Sequence, residues 1–147
     1  MEYVYAKKSD LKEIKQLLNS LGLPSSDIGP HVRGFVIAKT GKLIVGVVGM
    51  EVHGKDCLLR SLAVRPSHQG MGIAKELFCR IVADAQKRGI VKAYVLTTTI
   101  EILCQKWGFN KIPKTRVPHT IIVSKEFQGL CPKTAVLMCK NIAQDVK

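Results

Sequence analysis

The sequence predicts an α/β fold, with a mixed central sheet of six to seven strands flanked by about four helices. Short apolar runs rich in β-branched residues are separated by turn residues through most of the chain, which is the pattern of a sheet. One long run, residues 74–89, instead has apolar residues at helical spacing and lies between two predicted strands. A helical crossover joins parallel strands and short turns join antiparallel ones, so we expect antiparallel pairing early in the chain and parallel pairing around the long helix.

The individual elements follow from local signals. The predicted strands, each bounded by Gly, Pro or polar turn residues, cover residues 3–6, 35–38, 43–52, 57–64, 91–99 and 133–142. The first helix is expected to begin with the capping-box-like pair Asp10 and Glu13 and to end at Gly22. The Pro- and Ser-rich segment 21–31 is predicted to be a loop with a short helical turn, and residues 100–107 a short helix.

The length and composition are those of one folded domain covering residues 1–147. The chain has 46% hydrophobic and 23% charged residues, an ordinary balance for a globular protein with a sizeable core. The starting segment MEYVYAKKSD lacks the apolar part of a signal peptide, and no apolar run approaches the length of a membrane span. We therefore expect a cytoplasmic protein with no membrane partner.

The net charge of +12 attracts polyanions, among them nucleic acids and phosphorylated small molecules. The basic residues are spread along the chain and only 5% of residues are aromatic, so nucleic-acid binding is a minor alternative. The cysteines form no C-x-x-C pair, which argues against disulfides and against a zinc site. We expect no metal and mostly buried thiols, with a three-thiol site for a soft metal or metalloid as the alternative. The cysteines are Cys57, Cys79, Cys104, Cys131 and Cys139.

Gly70 and Gly72 lie in a loop between the strand 57–64 and the long helix. Backbone N–H groups at the start of a helix have no intrahelical partner, and glycine lets an anion approach the backbone closely. The loop has neither the GxGxxG pattern nor the Lys-Ser/Thr end of a nucleotide P-loop. The segment therefore predicts a site for phosphate groups, with an ordinary strand-to-helix turn as the structural alternative.

The pattern Gln69-x-x-Gly72-x-Ala74 follows Leu-Ala-Val-Arg-Pro, and this combination resembles the acyl-CoA signature of the GCN5-related N-acetyltransferase (GNAT) family. The resemblance implies a GNAT fold splayed at the acyl-CoA site, with acetyl-CoA as the acyl donor and its pyrophosphate held by the loop backbone. It also implies that the pantetheine arm pairs with the strand 57–64 and that a backbone N–H near Leu62 polarises the thioester carbonyl. The cofactor-binding residues implied in this way are Leu62, Ala63, Val64, Gln69, Gly70, Met71, Gly72, Ile73, Ala74, Lys75 and Cys104.

The hairpin register predicts a catalytic carboxylate. If residues 53–56 form the turn, Glu51 faces Leu58, and Glu51, Leu58, Arg60 and Leu62 share one sheet face. Histone-acetylating relatives carry their base at the position of Leu58, so the resemblance supplies no base there. Glu51 is the nearby carboxylate on this face and is our candidate base, acting directly or through water. The alternative is that Glu51 only forms an ion pair with Arg60.

Many members of the family place a general-acid Tyr four residues before the Gly of a Gly-Phe element. Here Cys104 occupies that position, ahead of Gly108 and Phe109. A thiol is a poor substitute for a phenol as a proton donor. One interpretation is that the departing CoA thiolate needs no protonation beyond that by water, and the other is that Cys104 only packs.

Two finer resemblances concern the acceptor. VLTTTIEILCQKWGF resembles the acetyltransferase domain of bacterial N-acetylglutamate synthases, and EVHGKDCLLRSLAV, VLTTT and EFQGLCPKTAVLM are similar to the small acetyltransferases of bacterial arsenic-resistance operons. Both imply acetyl transfer to the amine of a small, carboxylate-bearing amino acid or analogue, and the second implies a link to arsenic resistance. Arg60 and Thr97 are the acceptor-binding residues expected, with Lys106 and Arg116 as further candidates.

Other functions stay open at this point. One is acetylation of a protein N-terminus or lysine, and another is an acyl-CoA-binding module without catalysis, which Leu58 and Cys104 in place of familiar acid–base residues would fit. His31 and His119 are expected at the surface, with acid–base work as the alternative. Cys131 is expected in a turn, with a thiol that senses or holds arsenic as the alternative. A homodimer through the C-terminal strands, which is common in this fold, is also left open.

Overall fold

The computed structural model describes residues 1–97, 100–116, 118, 121 and 135–143. Its strands are β1 (Glu2–Tyr5), β2 (Val36–Thr40), β3 (Leu43–His53), β4 (Asp56–Val64), β5 (Lys92–Thr97), β6 (Asn110–Lys111) and β7 (Val136–Asn141). Its helices are α1 (Leu11–Ser20), α2 (Ile73–Lys87) and α3 (Glu101–Lys106), and short 3-10 turns cover Lys8–Asp10, Gly29–Gly34, Pro66–His68 and Lys114–Arg116. Within these described residues, no helix combines the length and the apolar character that a membrane crossing requires.

The strands form one sheet in the order β1-β2-β3-β4-β5-β7-β6. β1 with β2 and β2 with β3 are antiparallel, β4 and β5 are parallel, and β7 is antiparallel to both β5 and β6. The parallel pair is the one that the long helix α2 connects, as a helical crossover requires. The predicted mixed α/β sheet is therefore confirmed, although the two-residue strand β6 is not among the strands predicted from the sequence.

The chain divides into two compact units. The first consists of Met1–Glu51 and Arg60–Asp84, and the second of Val52–Leu59 and Ala85–Lys147. β3, β4 and α2 each have residues in both units. That residues 1–147 form a single domain stays a prediction.

The core of the first unit is formed by α1, the segment before β2 and three strands. α1 buries Ile14, Leu17 and Leu18, which recur at helical spacing on one face. The buried residues that cluster with them are Ala6, Ile28, Val32, Phe35, Ile37, Ile44, Val47 and Ala63. Because three of these come from the segment between α1 and β2, that segment is anchored in the core.

The start of α1 differs from the prediction. Asp10 precedes the helix, but its side chain makes no capping bond to α1, and its Oδ2 instead accepts the Lys7 N–H at 2.8 Å. Glu13 Oε2 accepts the Ile44 N–H at 2.7 Å. The predicted Asp10–Glu13 capping box is therefore wrong, because both carboxylates serve other backbone donors. Glu13 joins α1 to the start of β3.

Two glycines of β3 let neighbours pack directly on the strand. A Cβ at Gly49 would overlap the Phe35 ring, and a Cβ at Gly46 would lie 3.0 Å from a Leu77 methyl group of α2. Alternate residues of a strand face opposite sides of the sheet. Gly46 therefore marks the side that α2 covers, and Gly49 marks the side of Phe35. Glu51 follows Gly49 by two residues and lies on the Phe35 side.

In the second unit, β5 has paired neighbours on both sides. Its registered pairs with β4 end at Leu59 and Val95, whereas it pairs with β7 along its full length. The small core cluster of this unit consists of Leu58, Tyr94, Ile121 and Leu137.

Candidate active site

The glycine loop after β4 has the backbone geometry of an anion site. Gly70 and Gly72 have φ angles of 78° and 80°, which residues with a side chain rarely adopt. α2 begins at Ile73, and the Glu76 N–H donates to the Gly72 carbonyl at 3.1 Å. The N–H groups of residues 73–75 come before this bond, so they have no acceptor within the helix.

Hydrogen bonds hold this loop against the ends of the strands. Gln69 Nε2 donates to the Val64 carbonyl at 3.0 Å, and the His68 N–H donates to the Arg65 carbonyl at 2.8 Å. Arg65 Nε donates in turn to the Ile44 carbonyl at 3.0 Å. The Gln69 side chain thus supports the loop.

The structure brings the predicted cofactor residues of the first unit together in one continuous run from β4 into α2. Those at the end of β4 are Leu62, Ala63 and Val64; those in the loop are Gln69, Gly70, Met71 and Gly72; those in the first turn of α2 are Ile73, Ala74 and Lys75. Met71 is 64% exposed, an unusual position for a large apolar side chain. That these residues bind a cofactor stays a prediction.

β4 has a local irregularity just before this run. Ser61 has a φ of 60°, a left-handed conformation that residues other than glycine rarely adopt. Its Oγ accepts a hydrogen bond from Arg60 Nε at 3.1 Å. Irregularities of this kind change the direction of strand side chains and are frequent beside functional sites.

Arg60 is the centre of a buried cluster of charges. Its Nη2 donates to Asp27 Oδ1 at 2.7 Å and its Nη1 donates to Asp27 Oδ2, so the guanidinium forms a two-point fork with this carboxylate. Nη1 also donates to Glu51 Oε2 at 2.7 Å. The side chain of Arg60 is 0% exposed, and those of Asp27 and Glu51 are 4% and 3% exposed. One guanidinium therefore joins two carboxylates in a setting with almost no solvent contact.

His31 extends this cluster toward solvent. It lies in the 3-10 turn Gly29–Gly34, and its Nε2 is 3.6 Å from Glu51 Oε1. Its side chain is 38% exposed, in contrast to the buried Glu51. A protonated imidazole at this distance forms an ion pair with Glu51, and a water molecule can bridge the two groups in either protonation state.

Asp27 is the member of the cluster that sequence reasoning missed. Burial, the largest single influence, raises the pKa of Asp27, but the hydrogen bonds and charge of Arg60, a backbone N–H and the charge of His31 together hold it below its usual value of 3.8. Asp27 is therefore ionised at neutral pH. The sequence carries no signal for this role, because an Asp in a Pro- and Ser-rich loop is ordinarily a turn residue.

The structure shows the ion pair between Glu51 and Arg60 that the sequence left as an alternative. The role of Glu51 as a base stays a prediction. The expectation that Arg60 anchors an acidic acceptor is revised, because its guanidinium is buried and its fork is directed at Asp27. Arg60 positions Glu51 and Asp27 in this structure.

Thr97 and Cys104 lie in the second unit. Thr97 is 7% exposed, and its Oγ1 accepts the Ile100 N–H at 3.0 Å just before α3. Cys104 is buried in α3, and burial raises the pKa of its thiol to about 11. Cys104 is therefore a neutral thiol at physiological pH. The predicted acceptor-binding role of Thr97 and cofactor-binding role of Cys104 stay predictions.

The remaining candidates add no further cluster. Lys106 and Arg116 are exposed, and His119 and Cys131 lie outside the described residues. In the part of the chain that the structure describes, no three His, Cys, Asp or Glu side chains converge closely enough to hold a metal ion. The three-thiol alternative therefore has no support among those residues.

Residues 31–111 match the family model of the acetyltransferase (GNAT) domain. The match extends from the 3-10 turn before β2 to the end of β6, and it includes the glycine loop, Glu51 and Arg60. Because it covers more than half of the chain, the protein belongs to the GNAT acetyltransferase family. The family suggested by the Gln69–Ala74 pattern is thereby confirmed.

Solved structures of GNAT proteins share this fold. N-acetylglutamate synthase from Neisseria gonorrhoeae, complexed with coenzyme A and N-acetyl-glutamate, has a TM-score of 0.85 at 18% identity over 97% of this chain and 35% of that protein. Rv2747 from Mycobacterium tuberculosis, in complex with CoA and NLQ, has a TM-score of 0.78 at 21% identity over 96% of this chain and 99% of that protein. An acetyltransferase of the GNAT family from Staphylococcus aureus has a TM-score of 0.73 at 16% identity over 96% and 98% of the two chains. This chain spans about a third of the length of the synthase, and at these identities the likeness establishes the fold.

Proposed function

We propose that this protein is an acetyl-CoA-dependent N-acetyltransferase that acetylates the amine of a small, carboxylate-bearing amino acid or analogue. The observation that carries the proposal is the glycine loop at the start of α2, where N–H groups without an acceptor inside the helix lie at the positive end of the helix dipole. Coenzyme A presents a diphosphate that suits such a site. Membership of the GNAT family supplies the acyl-transfer chemistry.

The donor half of the site relies mainly on backbone groups. In the proposed complex, the N–H groups of residues 70–75 bind the diphosphate, and residues 62–64 of β4 pair with the amides of the pantetheine arm. A backbone N–H near Leu62 would stabilise the oxyanion that develops on the thioester carbonyl. Met71, which is 64% exposed, would pack against the bound cofactor.

Glu51 is the proposed base. The acceptor amine attacks the thioester carbonyl carbon, the carbon–sulfur bond breaks, coenzyme A leaves as a thiolate, and the nitrogen gives up a proton. Arg60 engages Glu51 Oε2, while Oε1 faces His31. Oε1 is therefore the oxygen expected to receive the proton, directly or through water.

An amino-acid acceptor is supported by the fold shared with the synthase, whose structure contains N-acetyl-glutamate. Because Arg60 is directed at Asp27, the carboxylate of the acceptor is expected to meet a different cation. The link to arsenic resistance rests on the sequence segments alone. A cytoplasmic location and a homodimer likewise stay predictions.

Calorimetric titration with acetyl-CoA tests the donor site. Gly72→Glu should weaken binding at least about tenfold, because a carboxylate would stand where the diphosphate binds. Gly89→Glu is a matched control: Gly89 follows the other end of α2, its φ is 78°, and, as at Gly72, no heavy atom lies within 4 Å of the added Cβ. A wild-type protein that does not bind acetyl-CoA, or a Gly72→Glu variant that binds it as well as Gly89→Glu does, would contradict the proposal.

An acceptor panel tests the reaction. Release of coenzyme A is measured with amino acids, with glutamate analogues that contain phosphorus or arsenic, and with peptides that offer an N-terminus or a lysine. Release with a carboxylate-bearing amino acid is the expected result. Release with peptides alone would favour protein acetylation, and tight binding of acetyl-CoA with no release on any amine would favour the binding module.

A further inference from the structure

Glu51 is buried beside a half-exposed imidazole, and the two side chains come from different elements. Glu51 lies in β3 and is 3% exposed, whereas His31 lies in the 3-10 turn before β2 and is 38% exposed. Their closest atoms, Glu51 Oε1 and His31 Nε2, are 3.6 Å apart. The two side chains thus connect a buried carboxylate to the surface, and a small approach brings their closest atoms within hydrogen-bonding distance.

The rest of the cluster restricts Glu51 to this arrangement. Arg60 from β4 holds Glu51 Oε2, and Asp27 from the loop before the 3-10 turn holds Arg60 by a two-point fork. The charge of His31 also lowers the pKa of Asp27, so the four side chains interact electrostatically as one group. Over Arg60, Asp27 and Glu51, one positive formal charge faces two negative ones, so the buried part of the cluster has a net negative charge beside the imidazole.

We propose that His31 and Glu51 form a proton-transfer pair, in which His31 carries the proton of the acceptor amine from Glu51 to solvent. The inference rests on the proposed acetyltransferase function and adds a residue to it. As the nitrogen–carbon bond forms, the amine proton moves to Glu51 Oε1, then to His31 Nε2, and then from the imidazolium to water. Glu51 is thereby returned to its carboxylate form for the next turnover.

The exposure of His31 makes the proposal testable by chemical rescue. In His31→Ala, kcat should fall about 100-fold, the scale of one general acid–base contact, while the affinity for acetyl-CoA is retained. Added imidazole can enter the vacated, solvent-facing space and should restore kcat in a saturable manner. Arg33→Ala is the matched control, since Arg33 is an exposed residue of the same 3-10 turn. It should keep the wild-type kcat and show no response to imidazole.

Variants of Glu51 distinguish the proposed proton transfer between Glu51 and His31 from a purely structural role of His31. Glu51→Gln should lose activity that imidazole does not restore. The double variant with His31→Ala should be no slower than Glu51→Gln, because the losses of activity are not additive when two residues act as a unit. Wild-type kcat in His31→Ala overturns the proposal, as does a loss of kcat that imidazole leaves unchanged while acetyl-CoA still binds. If His31→Ala does not fold, His31→Gln takes its place, and wild-type kcat in that variant overturns the proposal equally. A wild-type protein that acetylates no amine contradicts the proposed function itself, which is a different outcome.

Discussion

Replacing Arg60 with Met removes the guanidinium that Asp27 and Glu51 share while keeping much of the side-chain volume. Both carboxylates are almost fully buried and accept hydrogen bonds from Arg60 at about 2.7 Å. Breaking a buried pair by removing one partner costs about 3–5 kcal/mol, because the charge left behind has lost its compensation. We expect the free energy of unfolding at pH 7 to fall by this amount. With a slope of about 2 kcal/mol per molar urea, the urea midpoint should fall by about 2 M.

The penalty should depend on pH with a definite sign. In the wild type the pKa of Asp27 is lowered, so its contribution to stability is complete above its unfolded value of about 3.9 and is lost as the pH falls through the folded value. In Arg60→Met the lowering by Arg60 disappears and burial, which raises the pKa of Asp27, remains. The variant therefore gains stability relative to the wild type as the pH falls, because a protonated carboxyl tolerates burial. Urea unfolding at pH 7 and near pH 4 should show the difference between the two proteins shrinking.

Arg80→Met provides the control for this experiment. Arg80 Nε donates to Glu76 Oε1 at 2.8 Å, but both side chains are about half exposed, and the guanidinium lies 4.7 Å from the Tyr3 ring centroid. An exposed pair and an exposed cation–π contact together contribute about 1 kcal/mol. Equal losses in Arg60→Met and Arg80→Met, or a loss in Arg60→Met that grows as the pH falls, would refute the reasoning.

Packing and exposure lead to two other measurable outcomes. Gly49→Ala should lower the free energy of unfolding by about 1–3 kcal/mol, because the new methyl group overlaps the Phe35 ring. Thermal unfolding of the double variant with Phe35→Leu should show part of this loss recovered. An unchanged melting temperature in Gly49→Ala would contradict the packing account. Iodoacetamide at pH 8 should label the exposed Cys79 in the folded protein. Burial raises the pKa of Cys57 to about 12 and of Cys104 to about 11, so both should react only after unfolding. Mass spectrometry of the peptides decides this, and labelling of Cys104 as fast as Cys79 would count against a buried thiol.

The backbone geometry of the glycine loop could be predicted from the sequence because its determinants are contiguous. A strand, two glycines and the start of an amphipathic helix follow one another between residues 57 and 89. The positive φ angles of Gly70 and Gly72 and the unpaired N–H groups of α2 follow from residue type and helix geometry, whatever the rest of the chain does. The contact between Glu51 and Arg60 could also be predicted from the sequence, because a short hairpin places these residues close together.

Contacts between distant segments could not be predicted in this way. Asp10 and Glu13 have the spacing of a capping box, yet the Lys7 and Ile44 N–H groups compete for them, and Ile44 is 31 positions from Glu13. Asp27 is likewise 33 positions from Arg60. Local spacing carries no information on such pairs, because the burial that makes them strong exists only after the loop has packed on the sheet.

The same distinction bears on where acceptor specificity resides. The proposed donor site would use backbone groups, so side-chain changes there should alter the reaction little unless they fill the space proposed for the diphosphate. In the proposed reaction, the acceptor side would instead depend on the segment between α1 and β2, which supplies Asp27 and His31 and is anchored in the core by Ile28 and Val32. A change of sequence in that segment would alter both the charge balance around Glu51 and the groups that meet the amine. Differences in acceptor among proteins with this fold are therefore expected to follow the α1–β2 segment more closely than the glycine loop.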